Sequence, residues 1–181
     1  MKDALLLVDV VNDFLHEGGE SLLRSYRRAH ETLKAAIDRA HGAGVAVVYA
    51  NENFGTWDGD VQRLVRHAIE EGRGGELVEE IAPGPGDRFV VKPRYSAFDH
   101  TPLVLLLREL GVERILIAGA ATEMCVVQTA IDARELGFKV SILPEACSSV
   151  DERNERLALE YADTVVGARL HGLDEIGREP R

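Results

Sequence analysis

A mostly parallel α/β sheet covered by helices on both faces is the fold this sequence predicts, and three observations predict it. Short apolar, β-branched runs alternate with longer stretches whose apolar residues return every three or four positions. The first run, residues 4–9 (ALLLVD), is apolar throughout until it ends on an acid, the pattern of a strand buried on both faces. Gly42, Gly44, Pro93 and Gly111 stand where one pattern gives way to the next. The expected architecture is three-layer α/β/α with six strands, in a single domain spanning residues 1–181, a length that suits one sizeable core.

The elements follow in order. After the first strand, Leu22, Tyr26, Ala29, Leu33, Ile37 and Ala40 form one stripe of a helix that Gly42 and Gly44 close. A second strand is expected over 45–50, then a helix over 57–69 that Trp57 opens. Residues 72–87 are rich in Gly and Pro and hold only a short helical patch over 77–81. The third strand, 88–92, is cut by Pro93, which lacks a ladder donor. Thr101 and Pro102 make a cap and first-turn pair for a helix with Leu103, Leu106, Leu107 and Leu110 as its stripe, ended by Gly111. The fourth strand covers 112–118, the next helix runs from Thr122 to Leu136, and the fifth strand covers 139–143. Asp151 caps a helix reaching Ala162, and a short sixth strand covers 164–166.

Composition narrows the function. The 45% apolar and 29% charged shares are those of a soluble globular protein. A net charge of −10, without a basic run interleaved with aromatics, argues against a nucleic-acid partner, whose phosphates demand Lys and Arg. The N-terminal apolar run is too short for a signal peptide or a membrane span. Two cysteines without CxxC spacing fit free thiols in a reducing compartment, so a cytoplasmic location is expected. Separately, the acidic chain makes polyanions poor candidates, and a small-molecule substrate is expected.

Parallel α/β sheets bind ligands beyond the carboxyl ends of their strands. Asp9 finishes the first strand, Lys92 the third, and Cys125 follows the fourth in the first turn of a helix. Each alone reads better as a structural residue: Asp9 as a helix cap, Lys92 as a surface lysine, Cys125 as an inert buried thiol. Together they form a cysteine nucleophile with a cation and a base: Lys92 and a helix dipole to favour thiolate, Asp9 to move protons. The small residues Gly119, Ala120, Ala121 and Thr122 let backbone N–H groups approach an oxyanion.

Here the chain resembles the isochorismatase-like cysteine hydrolases, a family that includes nicotinamidases and N-carbamoyl amidohydrolases. The resemblance rests on LLLVDVVNDF (5–14), VKPRYSAF (91–98) and AGAATEMCVVQTAIDARELGF (118–138), with EACSS (145–149) as a sequel. It implies a six-stranded parallel sheet and a catalytic triad of Asp9, Lys92 and Cys125. It also implies a cis peptide between Ala120 and Ala121, and an oxyanion hole from the N–H groups of Ala121 and Cys125. A homodimer or homotetramer is implied as well. The activity implied is hydrolysis of a C–N bond of a small amide or carbamoyl compound through a thioester. Vinyl-ether hydrolysis of the isochorismatase type, and a silent binding member of the fold, are the alternatives.

The pattern departs from nicotinamidases at one place. Their metal-holding Asp-x-His pair is replaced by Asn51-Glu52-Asn53, and the six histidines show no ligand pairing on one element, so no metal and no cofactor are expected. His67 reads better as a helix-surface residue than as a site residue. Val11 stands where many members carry Gln. Cys147 reads as a packed thiol, and Gly72-Arg73-Gly74-Gly75 as a loop without the Gly-Lys-Ser/Thr ending of a phosphate loop. Phe14, Phe54, Trp57, Arg94, Tyr95 and Phe98 follow strand ends and are the candidates for holding a flat substrate.

Overall fold

The computed structural model describes residues 2–57 and 59–178. Its sheet has six strands: β1 (Asp3–Val8), β2 (Ala46–Glu52), β3 (Arg88–Lys92), β4 (Arg114–Ala120), β5 (Lys139–Ser148) and β6 (Arg169–Leu170). Every pairing is parallel and the order is β3-β2-β1-β4-β5-β6. The chain therefore builds outward from β1 on one side, then returns to lay β4 on the other. That reversal opens a crevice between the carboxyl ends of β1 and β4, where Val8 pairs with Gly119.

β1 shows why both faces had to be covered. Ala4, Leu6 and Val8 point into one core, Leu5 and Leu7 into the other, and all five are fully buried. The Leu5/Leu7 side is closed by α1 (Gly19–Gly42), α2 (Val61–Glu70) and α3 (Gly75–Glu80), through Leu22, Tyr26, Leu33, Ile37, Ala68 and Val78. The other side is closed by α4 (Leu103–Glu109) and α5 (Val127–Glu135), through Leu103, Leu107, Val127, Ala130 and Ala133. α6 (Glu152–Tyr161) lies at the margin and buries none of its residues; Leu157 and Tyr161 are exposed. Tyr26 does more than fill space, since its hydroxyl donates to the Val10 carbonyl at 2.9 Å and ties α1 to the segment leaving β1.

Several expected boundaries move, among them β2, which runs to Glu52, and β4, which covers Arg114–Ala120; three others move for a visible reason. The helix after β2 begins at Val61, because the Asp60 side chain caps it by accepting from Arg63 N at 3.1 Å; Trp57 lies in the preceding loop. β5 runs on past Pro144 to Ser148, since the β4–β5 register shifts between Ile117 and Gly119 and no ladder donor is required at the proline. Residues 164–166 are not a strand: Ala162–Val166 is a π-helical turn that prolongs α6 until Gly167 at φ 73°. β6 forms only after it, as two residues pairing with Ser141 and Ile142. Asp151 caps α6 as expected, accepting from Asn154 N at 2.8 Å.

Candidate active site

Asp9, Lys92 and Cys125 meet at the crevice. Asp9 is the first residue beyond β1 and sits at φ 50°, a region that aspartate tolerates better than most residues. Its N–H donates to Ala50 O at 3.0 Å, and its Oδ1 accepts from Glu52 N at 2.8 Å, so the end of β2 fixes the carboxylate. Lys92, the last residue of β3, brings Nζ to 2.7 Å from Asp9 Oδ2 and 3.6 Å from Cys125 Sγ, and donates to Arg94 O at 2.9 Å. Cys125 lies in a π-helical turn, Thr122–Val126, that leads into α5. Thr122 anchors that turn, with Oγ1 3.0 Å from Ser148 O and 3.1 Å from Glu155 Oε1. The peptide between Ala120 and Ala121 is cis.

Burial governs the protonation of this cluster. It raises the Asp9 carboxyl above the usual aspartate range, with Lys92 and Cys125 offsetting part of the rise. Burial pulls the Lys92 ammonium down, but Asp9 and Cys125 outweigh it and hold Lys92 protonated. The Cys125 thiol is pushed up to about 12, first by burial and then by the Asp9 charge, against which Lys92 acts. Lys92 thus acts on this thiol in the expected direction, against the larger opposing effects of burial and the Asp9 charge. Cys147 is buried in β5, and burial pushes its thiol to about 12 as well.

A cavity of about 620 Å³ opens over the cluster, lined by Asp9, Lys92, Cys125, Ala120 and Ala121. Of the six residues expected to hold substrate, Arg94 and Tyr95 line it. The other four do not. Phe14 is fully buried in the α1 core, edge-on to Tyr26 at 5.1 Å. Phe54 meets the His67 ring at a tilt, centroids 5.4 Å apart, over a separate surface groove beside α2. Trp57 is 83% exposed, and Phe98 packs on Phe138 at 6.1 Å beneath α4. Lying just after a strand end decides where a residue starts; the turn decides where its side chain goes.

The cavity also holds residues the sequence reading passed over: Asn12, Glu17, Glu52, Met124 and Gln128. Two had a usable signal. Glu52 ends β2 and so obeys the rule that singled out Asp9 and Lys92, and Gln128 lies three residues after Cys125, one helical turn along the same face.

The end of β2 does not fit a metal. Asn51 is buried and spends its whole amide on one backbone unit, accepting from Val11 N at 3.0 Å and donating to Val11 O at 2.6 Å. That clamp also answers how the chain manages with Val11: its backbone, not its side chain, is what the strand end holds. Among the described residues, the one group of ligand-type atoms close enough to share an ion is His30, Glu31 and Glu80, none of which lines the cavity. His67 lies outside it too, 3.1 Å from Asp13. Among the described residues no helix is long and apolar enough to cross a membrane.

Comparison with known proteins places this fold in a family. The family model of the isochorismatase domain matches residues 3–170. An isochorismatase family protein of Bacillus subtilis (strain 168), YaaI, is 30% identical over 173 residues, covering 96% of this chain and 95% of that one. The crystal structure of N-carbamoylsarcosine amidase from Thermoplasma acidophilum superposes with a TM-score of 0.76 at 29% identity, over 98% of this chain and 100% of the other. That of nicotinamidase PncA from Bacillus subtilis gives 0.74 at 30% identity, over 93% and 98%.

Proposed function

Because the chain belongs to the isochorismatase family and is a hydrolase of that family, we propose that it cleaves the C–N bond of a small amide or carbamoyl compound through a thioester on Cys125. The observation that carries this reading is the mutual contact of Asp9, Lys92 and Cys125 at the floor of one cavity.

The chemistry follows from these contacts. Substrate enters with its carbonyl carbon beside Sγ. Asp9 takes the thiol proton as sulfur attacks, and Lys92 stabilises the charge gathering on sulfur. The carbonyl oxygen becomes an oxyanion facing the N–H groups of Ala121 and Cys125. Asp9 returns its proton to the departing nitrogen, the C–N bond breaks, and ammonia or an amine leaves a thioester. Asp9 then takes a proton from water, the hydroxide adds to the thioester, and the C–S bond breaks. The released sulfur recovers its proton from Asp9, and the product is a carboxylic acid. A raised Asp9 pKa suits these steps, because a stronger base accepts a thiol proton more readily than an ordinary aspartate does.

No divalent metal enters the scheme. Incubation with a chelator, followed by dialysis, should leave turnover unchanged; loss of turnover restored by zinc would reject the metal-free reading. The triad itself is tested by mass spectrometry with a panel of amides. An acyl adduct on Cys125, absent in Asp9→Asn, is expected, and steady-state rates should fall about 100- to 10,000-fold in Asp9→Asn and Lys92→Ala. Full activity in either variant would remove that residue from the mechanism.

A further inference from the structure

The π-helical turn that carries Cys125 is held by the chain that leaves β5. Thr122, fully buried, opens that turn, and next to it Glu123 Oε1 accepts from Val150 N at 3.2 Å. Thr122 Oγ1 lies 3.0 Å from Ser148 O and 3.1 Å from Glu155 Oε1. A hydroxyl has one proton to give, and it can also accept. The Ser148 carbonyl can only accept, so the Thr122 proton goes there. The second contact is then a hydrogen bond only when Glu155 supplies the proton. The relay so closed runs from Glu155 O–H to Thr122 Oγ1, and from Thr122 O–H to Ser148 O. It joins α6, the catalytic turn and the end of β5. The surroundings suit a neutral acid at this place. Burial lifts the Glu155 carboxyl above the usual glutamate range, and the Glu123 charge adds to the lift. The Thr122 hydroxyl opposes it only where its proton turns from Ser148 to Glu155. Arg28 on α1 and Glu152 on α6 act on Glu155 in opposite directions, and they are paired with each other at 3.1 Å. Cys147 on β5 also feels the Glu155 charge.

We infer that Glu155 is a positioning residue for the chemistry at Cys125: as the neutral acid it braces Thr122, and through Thr122 the catalytic turn, and its ionisation releases the brace. The inference rests on the amide-hydrolase reading above. A carboxylate at Glu155 has no proton to give and competes with Ser148 O for the one on Thr122. Turnover should therefore weaken as pH rises through the Glu155 ionisation. Asp9 titrates as well, so the ratio of a Glu155 variant to wild type, which cancels the Asp9 limb, is the quantity to read.

Two variants and one titration test it. Glu155→Gln keeps a donor for Thr122 at every pH, and Glu155→Ala keeps none. With butanamide or benzamide as substrate, kcat of Glu155→Gln should match wild type at acid pH. At alkaline pH it should exceed wild type about three- to tenfold, the worth of roughly one hydrogen bond, with KM little changed. Glu155→Ala should show the lower kcat throughout. A Gln-to-wild-type ratio that stays flat with pH, or a Gln variant no better than the Ala variant, overturns the inference while amide hydrolysis stands. The direction of the proton is read without substrate, by NMR titration of the Glu155 carboxyl, assigned by its absence in Glu155→Gln. Thr122→Val, or Thr122→Ala should that variant not fold, removes the acceptor that favours the neutral acid, so the Glu155 midpoint should fall. A midpoint that rises or stays put shows that Glu155 was not donating, and overturns the inference whether or not either amide is hydrolysed.

Discussion

Burial raises the Cys125 thiol and Lys92 acts against that rise, so the contacts with Asp9 and Lys92 are what make this sulfur a nucleophile. Alkylation by iodoacetamide should quicken as pH rises. It should fall on Cys125, which lines the cavity, before the buried Cys147. Peptide mapping reads both; prior labelling of Cys147, with Cys125 spared in the native protein, contradicts the assignment. Activity needs ionised Asp9, so its acid limb should lie above the range of an ordinary aspartate, because burial raises that carboxyl. Asn51 permits a stability test, since Asn51→Ala strands the Val11 N–H and carbonyl together. Urea unfolding should show a loss of about 2–4 kcal/mol. Residues were legible in the sequence wherever backbone direction alone placed them, as with Asp9, Lys92 and Cys125 at strand ends. Phe14 and Phe54 were not, because both adopt positive φ and their turns carry the rings away from the cavity.

Among the elements, the β4 end is the most constrained. Gly119 sits at φ 125°, and a Cβ there would fall 2.0 Å from the Val8 carbonyl oxygen, which is backbone and cannot yield. Gly119→Ala should separate β4 from β1 beneath the site and lower stability by on the order of 3 kcal/mol or more, read by urea melts, with activity lost alongside. Asp151→Ala, which removes only the cap of α6, should cost about 1 kcal/mol by the same measurement. The comparison also explains which elements the sequence disclosed. α1 and β1 were plain, since each carries its periodicity through buried residues. The π-helical turn at Ala162–Val166 was hidden because Thr164, Val165 and Val166 have strand-like side chains, yet the helix before them had not ended. β6 has two exposed residues and offers no pattern to read.

For the whole molecule, the number of strands and their parallel sense were readable from alternation, whereas the order β3-β2-β1-β4-β5-β6 was not. Order is decided by pairings distant in sequence, such as Asp3 with Arg114, which no local window contains. That same pairing carries a buried ion pair: Arg114 Nε lies 2.9 Å from Asp3 Oδ1, and its Nη2 donates to the carbonyls of Glu175 and Arg178 at 3.0 and 2.9 Å. One guanidinium on β4 thus holds both the start of β1 and the segment after β6. Arg114→Met should lower stability by about 3–5 kcal/mol, because Asp3 is left buried without its partner.

Since a single side chain spans residues 3 and 178, the described chain is nearly a closed loop, and its covalent starting point is interchangeable with others. A circular permutant joined by a short Gly/Ser linker across those ends, and reopened between the exposed Pro85 and Gly86, should keep its melting profile and its hydrolysis. Reopening instead between Asp9 and Val10 would free the carboxylate from its strand, and such a permutant should lose turnover even where it folds. Circular dichroism and an amide-release assay on the two permutants separate the need for a particular chain order from the need for a particular set of neighbours.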